Sequence, residues 1–271
     1  MYLDYYRLRE NPFNVTSDPN FLYMSKRHKE AFTHLLYGIR ERKGFIEITG
    51  EVGTGKTTLC RALMNQLDER TKAAFIFNSD LTQTQLLQSI VDDLGIKVER
   101  KTKVELFNRL NSYLIDQLRK GNNVILILDE AQNLKSNTME QMRMLSNLET
   151  EKEKLFQIIL VGQPELRDKL NSPGLRQLRQ RIGIRYHITP LEKNEITSYV
   201  YHRLYVAGSD GTVKFTEDAV ERIYDYSAGI PRLINIISDK ALLLGFVLET
   251  FIINGEIIER SIQEVEGRIM V

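Results

Sequence analysis

Eight residues, Gly50 to Thr57, fit the pattern G-x-x-x-x-G-K-[ST], in which a glycine-rich turn binds phosphate. Glycines in this turn let the backbone wrap an anion, so that successive N–H groups and the positive end of the next helix face phosphate oxygens. We therefore expect the Lys56 ammonium to reach the β and γ phosphates and the Thr57 hydroxyl to ligate Mg²⁺. The expected binding residues are Gly50, Glu51, Val52, Gly53, Thr54, Gly55, Lys56, Thr57 and Thr58.

Two adjacent carboxylates, Asp129 and Glu130, directly follow the apolar run from Val124 to Leu128. Such a run predicts a buried strand, and ligands bind at the C-terminal ends of strands in open α/β sheets. Phosphoryl transfer needs metal charge on the β and γ oxygens together with a positioned nucleophile. We expect Asp129 to hold Mg²⁺ and Glu130 to orient and deprotonate the attacking water.

The elements that must position these residues alternate between strands and helices. Five short apolar runs predict buried parallel strands, namely Phe45–Thr49, Ala73–Asn78, Val124–Leu128, Gln157–Val161 and Ile184–Ile188. Helical patterns fill the gaps, and Thr82 with Gln85 forms a predicted capping box. Strands alternating with helices indicate an α/β fold, a parallel sheet with helices on both faces.

The pattern changes after Pro190, where no strand-like alternation remains. Four helices are predicted there, over Glu192–Val206, Glu217–Tyr226, Pro231–Leu248 and Glu256–Val265. We therefore predict a nucleotide-binding α/β domain over residues 1–189 and a small all-helical lid domain over residues 190–271. We assign residues 1–43 to the first domain as its N-terminal segment and helix.

The bulk composition predicts a cytoplasmic protein. The 271 residues carry a net charge of +1, so no general basic field attracts nucleic acid or membrane. Cys60 is the single cysteine, which excludes an intramolecular disulfide and a cysteine-based zinc cluster. No apolar run approaches the ~20 residues of a membrane span, and the N-terminus lacks the pattern of a signal peptide.

Further motifs resemble those of AAA+ ATPases. Gln163 follows the fourth predicted strand, at the position called sensor 1 in that family, which contacts the γ-phosphate or the lytic water. The resemblance implies an arginine finger before the fifth strand, where Arg181 matches best and Arg176 and Arg179 are alternatives. The segment Ala228-Gly229-Ile230-Pro231-Arg232 resembles sensor 2, and Arg232 in a first helical turn opposes the helix dipole unless an anion such as ATP phosphate compensates.

The chain as a whole resembles the ExeA/GspA family of bacterial secretion ATPases. The resemblance rests on Tyr5–Phe13, Ser17–Ser25 followed by His28, Gly50–Thr58, Asp129–Leu134, Leu160–Leu166 and Gly229–Asn235. It implies that the segment before the first long helix lines the adenine pocket, with Phe13, Leu22 and Tyr23 as the expected residues. It also implies an oligomer, such as a ring, in which the finger acts in trans.

The resemblance predicts an ATPase that uses Mg²⁺ and ATP to drive or regulate a cell-envelope secretion, pilus or polysaccharide-export machine. The sequence shows no membrane segment and no peptidoglycan-binding domain, so we expect a membrane-protein partner to bring it to the inner membrane. The main alternative is a DNA-binding regulator of transposition of the TnsC or MuB kind, for which local basic clusters leave room. A non-catalytic nucleotide switch and a helicase are the weaker alternatives, because Glu130 suits catalysis and no aromatic platform for single strands stands out.

Overall fold

The structure is a computed structural model that describes residues 1–77, 80–148 and 154–267. Five strands form the main sheet: β1 Phe45–Gly50, β2 Thr71–Ile76, β3 Asn123–Leu128, β4 Gln157–Gly162 and β5 Ile182–Ile188. All five predicted strands are therefore present within one or two residues at each end. Asn78, the last residue of the second predicted strand, lies outside the described residues.

The main sheet has the strand order β2-β3-β4-β1-β5, and every neighbouring pair is parallel. Strands β1 and β4 are buried at all six positions. Because side chains alternate between the two faces of a strand, continuous burial means that both faces are covered. The prediction of a parallel sheet with helices on both faces is confirmed.

Strand β5 lies at an edge of the sheet, and exposure alternates along much of it. The prediction of a buried strand over Ile184–Ile188 was wrong in this respect, because an edge strand has a neighbour on one side only. Gly183 and Arg185 are exposed, and only Ile188 of this strand is fully buried.

The helices within the described residues are α1 Tyr2–Tyr5, α2 Lys26–Arg40, α3 Lys56–Gln66, α4 Gln83–Asp93, α5 Lys103–Arg119, α6 Ser136–Leu145, α7 Pro164–Asn171, α8 Arg176–Arg179, α9 Ile196–Val206, α10 Glu217–Ser227, α11 Pro231–Val247 and α12 Gly255–Val265. Short 3₁₀ turns cover Pro19–Phe21, Ala131–Asn133, Pro173–Leu175 and Lys193–Glu195. The capping box of Thr82 and Gln85 opens α4, as predicted.

Contacts between residues divide the chain into two compact units. The sheet unit comprises Lys29–Gly50 and Leu59–Ile188, and its core lies between the strands and their helices, with Leu86, Leu126 and Phe156 fully buried. The helical unit comprises Met1–His28, Glu51–Thr58 and Thr189–Val271. This partition differs from the predicted domains in where it places residues 1–28 and 51–58, and the division into domains stays a prediction.

The helical unit has its own core, in which aromatic and aliphatic side chains of the N-terminal segment pack with those of the C-terminal helices. It also contains a short parallel pair of strands, β6 Lys214–Phe215 and β7 Ile252–Ile253. The prediction that residues 190–271 are all-helical missed this pair, because two residues are too few to show strand alternation. Across the described residues, no helix is both long enough and apolar enough to span a membrane.

Candidate nucleotide-binding site

The segment from Glu51 to Gly55 folds as a tight loop between β1 and α3, and two of its glycines have left-handed backbone conformations. Gly53 has φ +82° and Gly55 has φ +90°, values that residues with a Cβ atom rarely adopt. A Cβ on Gly53 would also lie 2.6 Å from the Cβ of Arg232. Glycine is therefore required at Gly53 both by the backbone and by the space available, which fits a loop built to wrap an anion.

The carbonyl oxygen of Glu51 accepts hydrogen bonds from several polar groups of this loop. It accepts hydrogen bonds from Lys56 Nζ at 2.9 Å, from Thr54 Oγ1 at 2.8 Å and from Thr54 N at 3.3 Å. The Lys56 side chain thus folds back along the loop and is buried. Glu51 and Val52 are exposed at the tip of the loop, while Thr57 and Thr58 are partly exposed at the start of α3.

Arg232 lies beside this loop, and its role as sensor 2 stays a prediction. Pro231 is the first residue of α11, and the backbone N–H of Arg232 donates to the carbonyl of Gly53 at 3.2 Å. The preceding turn holds Ala228 and Gly229 at positive φ, and a Cβ on Gly229 would collide with the Leu191 carbonyl. The turn therefore fixes where α11 begins, and it leaves the Arg232 side chain exposed near the phosphate-binding loop.

The residues expected to line an adenine pocket differ in their surroundings. Phe13 exposes 1% of its surface and packs edge-on against Phe215 within the core of the helical unit. Leu22 and Tyr23 are partly exposed, and the Tyr23 ring contacts the rings of Tyr199 and His202. Contact with a nucleobase remains a prediction for all three, and exposure favours Leu22 and Tyr23.

The two carboxylates of the sheet unit lie at the C-terminal end of β3. Asp129 is buried, its N–H donates to the Ile76 carbonyl at 3.0 Å, and its Oδ1 accepts the N–H of Glu130 at 3.0 Å. Glu130 has φ +52°, a left-handed conformation that is uncommon for a residue with a side chain. Strained backbone of this kind concentrates at functional sites.

Two amide side chains hold the Glu130 carboxylate. Gln163 Nε2 donates to Oε2 of Glu130 at 3.0 Å, and Gln132 Nε2 donates to the same oxygen at 2.5 Å. Gln132 Oε1 in turn accepts the backbone N–H of Gln163 at 3.1 Å. The structure therefore brings together Glu130 and Gln163, which the sequence assigned separately, and adds Gln132, to which the sequence analysis gave no role.

The packing around Gln132 explains the glycine at the end of β4. A Cβ on Gly162 would lie 2.6 Å from Gln132 Oε1 and 2.9 Å from Leu166 Cδ2. Gly162 thus makes room for the Gln132 amide. The segment Asp129-Glu130-Ala131-Gln132 was the only sequence signal for this residue.

The three arginines considered as fingers have different neighbours. Arg181 Nη1 donates to Ser146 Oγ at 3.2 Å, and Arg179 Nη1 donates to Asn171 Oδ1 at 3.3 Å. Both are partly exposed, whereas Arg176, the first residue of α8, is exposed. Nearby, burial and the positive charge of Arg181 lower the pKa of Lys154.

The residues present fit Mg²⁺ and a nucleotide by their chemistry. The glycine loop has the positive-φ backbone conformation with which such loops turn successive N–H groups toward a phosphate. Thr57 and Asp129 offer the hydroxyl and carboxylate oxygens that Mg²⁺ prefers in proteins.

Comparison with known proteins identifies a family domain in this chain. Residues 39–170 match the family model described as AAA domain. The chain is 43% identical over 259 residues to general secretion pathway protein A of Aeromonas hydrophila, a match that covers 95% of this chain and 47% of that protein. The chain therefore spans about half the length of this relative.

Two solved structures share the fold. The ORC2 protein of Aeropyrum pernix, in its ADPNP–ADP complexes, superposes with a TM-score of 0.69 at 17% identity, covering 94% of this chain and 72% of that one. The Cdc6p protein of Pyrobaculum aerophilum gives a TM-score of 0.69 at 21% identity, covering 91% of this chain and 70% of that one. The AAA fold predicted from the sequence is confirmed.

Proposed function

We propose that this chain, which contains an AAA domain and is similar to general secretion pathway protein A, is an ATPase of a cell-envelope machine. It binds and hydrolyses Mg-ATP where copies of the chain meet. The cycle of hydrolysis drives or regulates the assembly of a secretion, pilus or polysaccharide-export apparatus.

In this proposal the loop from Gly50 to Thr58 binds the phosphates. The Lys56 ammonium turns from the Glu51 carbonyl to the β and γ phosphates, and the exposed Arg232 beside Gly53 contacts the γ-phosphate. Thr57 and Asp129 hold Mg²⁺, which supplies positive charge to the β and γ oxygens when bound. Leu22 and Tyr23 contact the base.

The contact between Glu130 and Gln163 is the observation that carries a hydrolytic function. A protein that only switches between nucleotide states needs no base, yet this chain holds a carboxylate between two amides at the end of β3. In the proposed step Glu130 accepts a proton from water, the water oxygen bonds to the γ phosphorus, and the bond from that phosphorus to the bridging oxygen of ADP breaks. Gln163 and Gln132 orient the carboxylate.

The partner machine is inferred from the relative alone. General secretion pathway protein A is named for secretion, and the match covers nearly all of this chain. We therefore propose that a membrane protein of the secretion apparatus recruits the ATPase to the cytoplasmic face of the inner membrane.

Two variants test the proposed activity. Glu130→Gln keeps the shape of the side chain but removes the base, so we expect normal ATP affinity and a fall in turnover of roughly 10²–10⁴-fold. Lys56→Ala removes the phosphate-binding ammonium, so we expect loss of ATP binding. Equilibrium binding of a fluorescent ATP analogue and release of inorganic phosphate measure the two properties separately.

Glu221→Gln serves as the matched control, because Glu221 is exposed on α10 and pairs with Lys193. This control variant should change neither ATP affinity nor turnover. Full turnover by Glu130→Gln would contradict the role of Glu130 as base. Unchanged ATP affinity in Lys56→Ala would contradict the proposed role of the loop.

A further inference from the structure

A buried histidine contacts the backbone of the phosphate-binding loop. His28 lies in the first turn of α2 and exposes 3% of its surface. Its Nε2 lies 2.9 Å from the carbonyl oxygen of Thr54, and its Nδ1 lies 2.7 Å from the hydroxyl oxygen of Ser25. The ring thus bridges the N-terminal segment and the loop, two parts of the helical unit.

The partners determine the tautomer of this ring. A carbonyl oxygen can only accept, so Nε2 carries the proton and donates to Thr54. Nδ1 is then an acceptor, which the Ser25 hydroxyl satisfies as a donor. Burial lowers the pKa of His28, while the Thr54 carbonyl and the charge of Glu195 act in the opposite direction. Burial favours the neutral ring, and with its proton on Nε2 this form satisfies both neighbours.

Fixing the Thr54 carbonyl also fixes the direction of the next N–H group. In a trans peptide the C=O of one residue and the N–H of the following residue point in opposite directions. Holding the Thr54 oxygen against His28 therefore turns the Gly55 N–H away from the imidazole. The imidazole lies close to Gly55, because a Cβ on this residue would lie 3.2 Å from Nε2, so the loop backbone passes directly beside this nitrogen.

The Gly55 N–H needs such an anchor, because peptides next to glycine rotate more easily than peptides between other residues. Gly53 and Gly55 both lie at positive φ, and glycine has wide conformational freedom. The loop binds phosphate through N–H groups that must face the anion together. A peptide that turns its carbonyl toward the phosphate would replace an attraction with a repulsion.

We propose that His28 is a positioning residue for nucleotide binding, which anchors the Thr54–Gly55 peptide so that the Gly55 N–H faces the phosphates. The inference rests on the proposed function of the loop and goes beyond it, because His28 lies outside the phosphate-binding pattern. Ser25 acts through the imidazole by donating to Nδ1, which holds the ring in place.

Three variants of the full chain test this role. His28→Leu keeps a buried side chain of similar size without a donor, whereas His28→Gln places an amide nitrogen where Nε2 lies. His34→Leu is the matched control, because His34 is exposed on the same helix. For each protein we would measure the dissociation constants of ATP and ADP, the kcat and KM of ATP hydrolysis, and the midpoint of thermal unfolding without nucleotide.

We expect His28→Leu to weaken ATP and ADP binding by about tenfold, the effect of one lost hydrogen bond at a buried carbonyl. The KM should rise to match, and kcat at saturating ATP should stay within about twofold, because His28 does not contact the reacting atoms. His28→Gln should restore affinity to within about threefold of the natural protein. A purely structural role would instead lower the unfolding midpoint in both variants without this difference in affinity.

If His28→Leu does not fold, Ser25→Ala provides the test, because it removes the donor to Nδ1 and should weaken ATP binding by about threefold. Equal nucleotide affinity in the natural protein, His28→Leu and Ser25→Ala would overturn the role of His28 alone. Equal weakening by His28→Leu and His28→Gln would overturn it as well. Failure of the natural protein to bind ATP or ADP would overturn the proposed function and this inference together.

Discussion

At the scale of residues, the arginines before β5 show how exposure separates candidates that the sequence leaves together. A finger that acts in trans must reach the nucleotide of another copy, so its guanidinium has to project from the surface. Arg181 is favoured by its position before Ile182, but its guanidinium donates to Ser146 of the same chain. Arg176 is the exposed member of the group.

We therefore predict that Arg176→Ala lowers turnover by roughly 10³-fold at high protein concentration while leaving ATP affinity unchanged. Arg181→Ala should act mainly on stability, because it removes the contact with Ser146. Phosphate release measured over a range of protein concentrations, together with ATP titrations, checks both expectations.

Arg119→Ala is the control, since Arg119 is exposed in the last turn of α5. If Arg181→Ala abolishes turnover and Arg176→Ala does not, the position in the sequence is the better guide to the finger.

At the scale of elements, strand β1 carries a carboxylate in the interior of the sheet unit. Glu47 exposes 1% of its surface, and no hydrogen-bond partner of its Oε1 lies within the described residues. Arg185 Nε lies 3.3 Å from its Oε2, and Arg167 Nε lies 3.9 Å from its Oε1. Burial raises the pKa of Glu47 above its ordinary value of 4.5, and the two arginines offset part of this rise.

A raised pKa means that the folded protein binds this proton more tightly than the unfolded chain does. The natural protein therefore loses stability as pH rises from 4.5 through the folded-state pKa, and the loss persists above it. Glu47→Gln has no such titration. We predict that the free energy of unfolding of Glu47→Gln, relative to the natural protein, increases between pH 4.5 and pH 7.5 by on the order of 1 kcal/mol.

Urea unfolding of both proteins at the two pH values measures this difference. Glu69→Gln changes an exposed residue, so its free energy of unfolding should differ from that of the natural protein by the same amount at both pH values. A difference for Glu47→Gln that stays constant with pH would mean that the two arginines fully compensate for burial of the carboxylate.

At the scale of the whole molecule, charge favours the secretion function over the transposition function. The net charge is +1, and one of the local basic clusters, residues 26–29, uses His28 to bind the phosphate-binding loop. Binding to duplex DNA depends on many phosphate contacts and weakens steeply with salt. The chain as described offers no general basic field for it.

We predict that Glu130→Gln protein loaded with ATP shows no salt-dependent binding to duplex DNA. Fluorescence anisotropy of a labelled duplex at about 50, 100 and 200 mM salt measures this. Lys56→Ala, which should not hold ATP, is the control. ATP-dependent binding that weakens with salt would instead support a transposition regulator.

The sequence by itself determined the parallel sheet and the approximate bounds of the C-terminal helices, and it predicted the phosphate-binding loop. These features rest on local information: the spacing of apolar residues, the capping box at Thr82, the glycines of the loop and the proline that begins α11. The carboxylates at the end of β3 were predictable for the same reason, because they directly follow an apolar strand.

Only the tertiary structure decided which distant residues meet. The hydrogen bond from His28 to Thr54 joins residues that are 26 positions apart in the sequence, and the one from Gln163 to Glu130 joins residues 33 positions apart. The place of β1 between β4 and β5 and the pairing of β6 with β7 are likewise long-range. A hydrogen bond depends on positions in space to within a few tenths of an ångström, whereas a sequence pattern records only order along the chain.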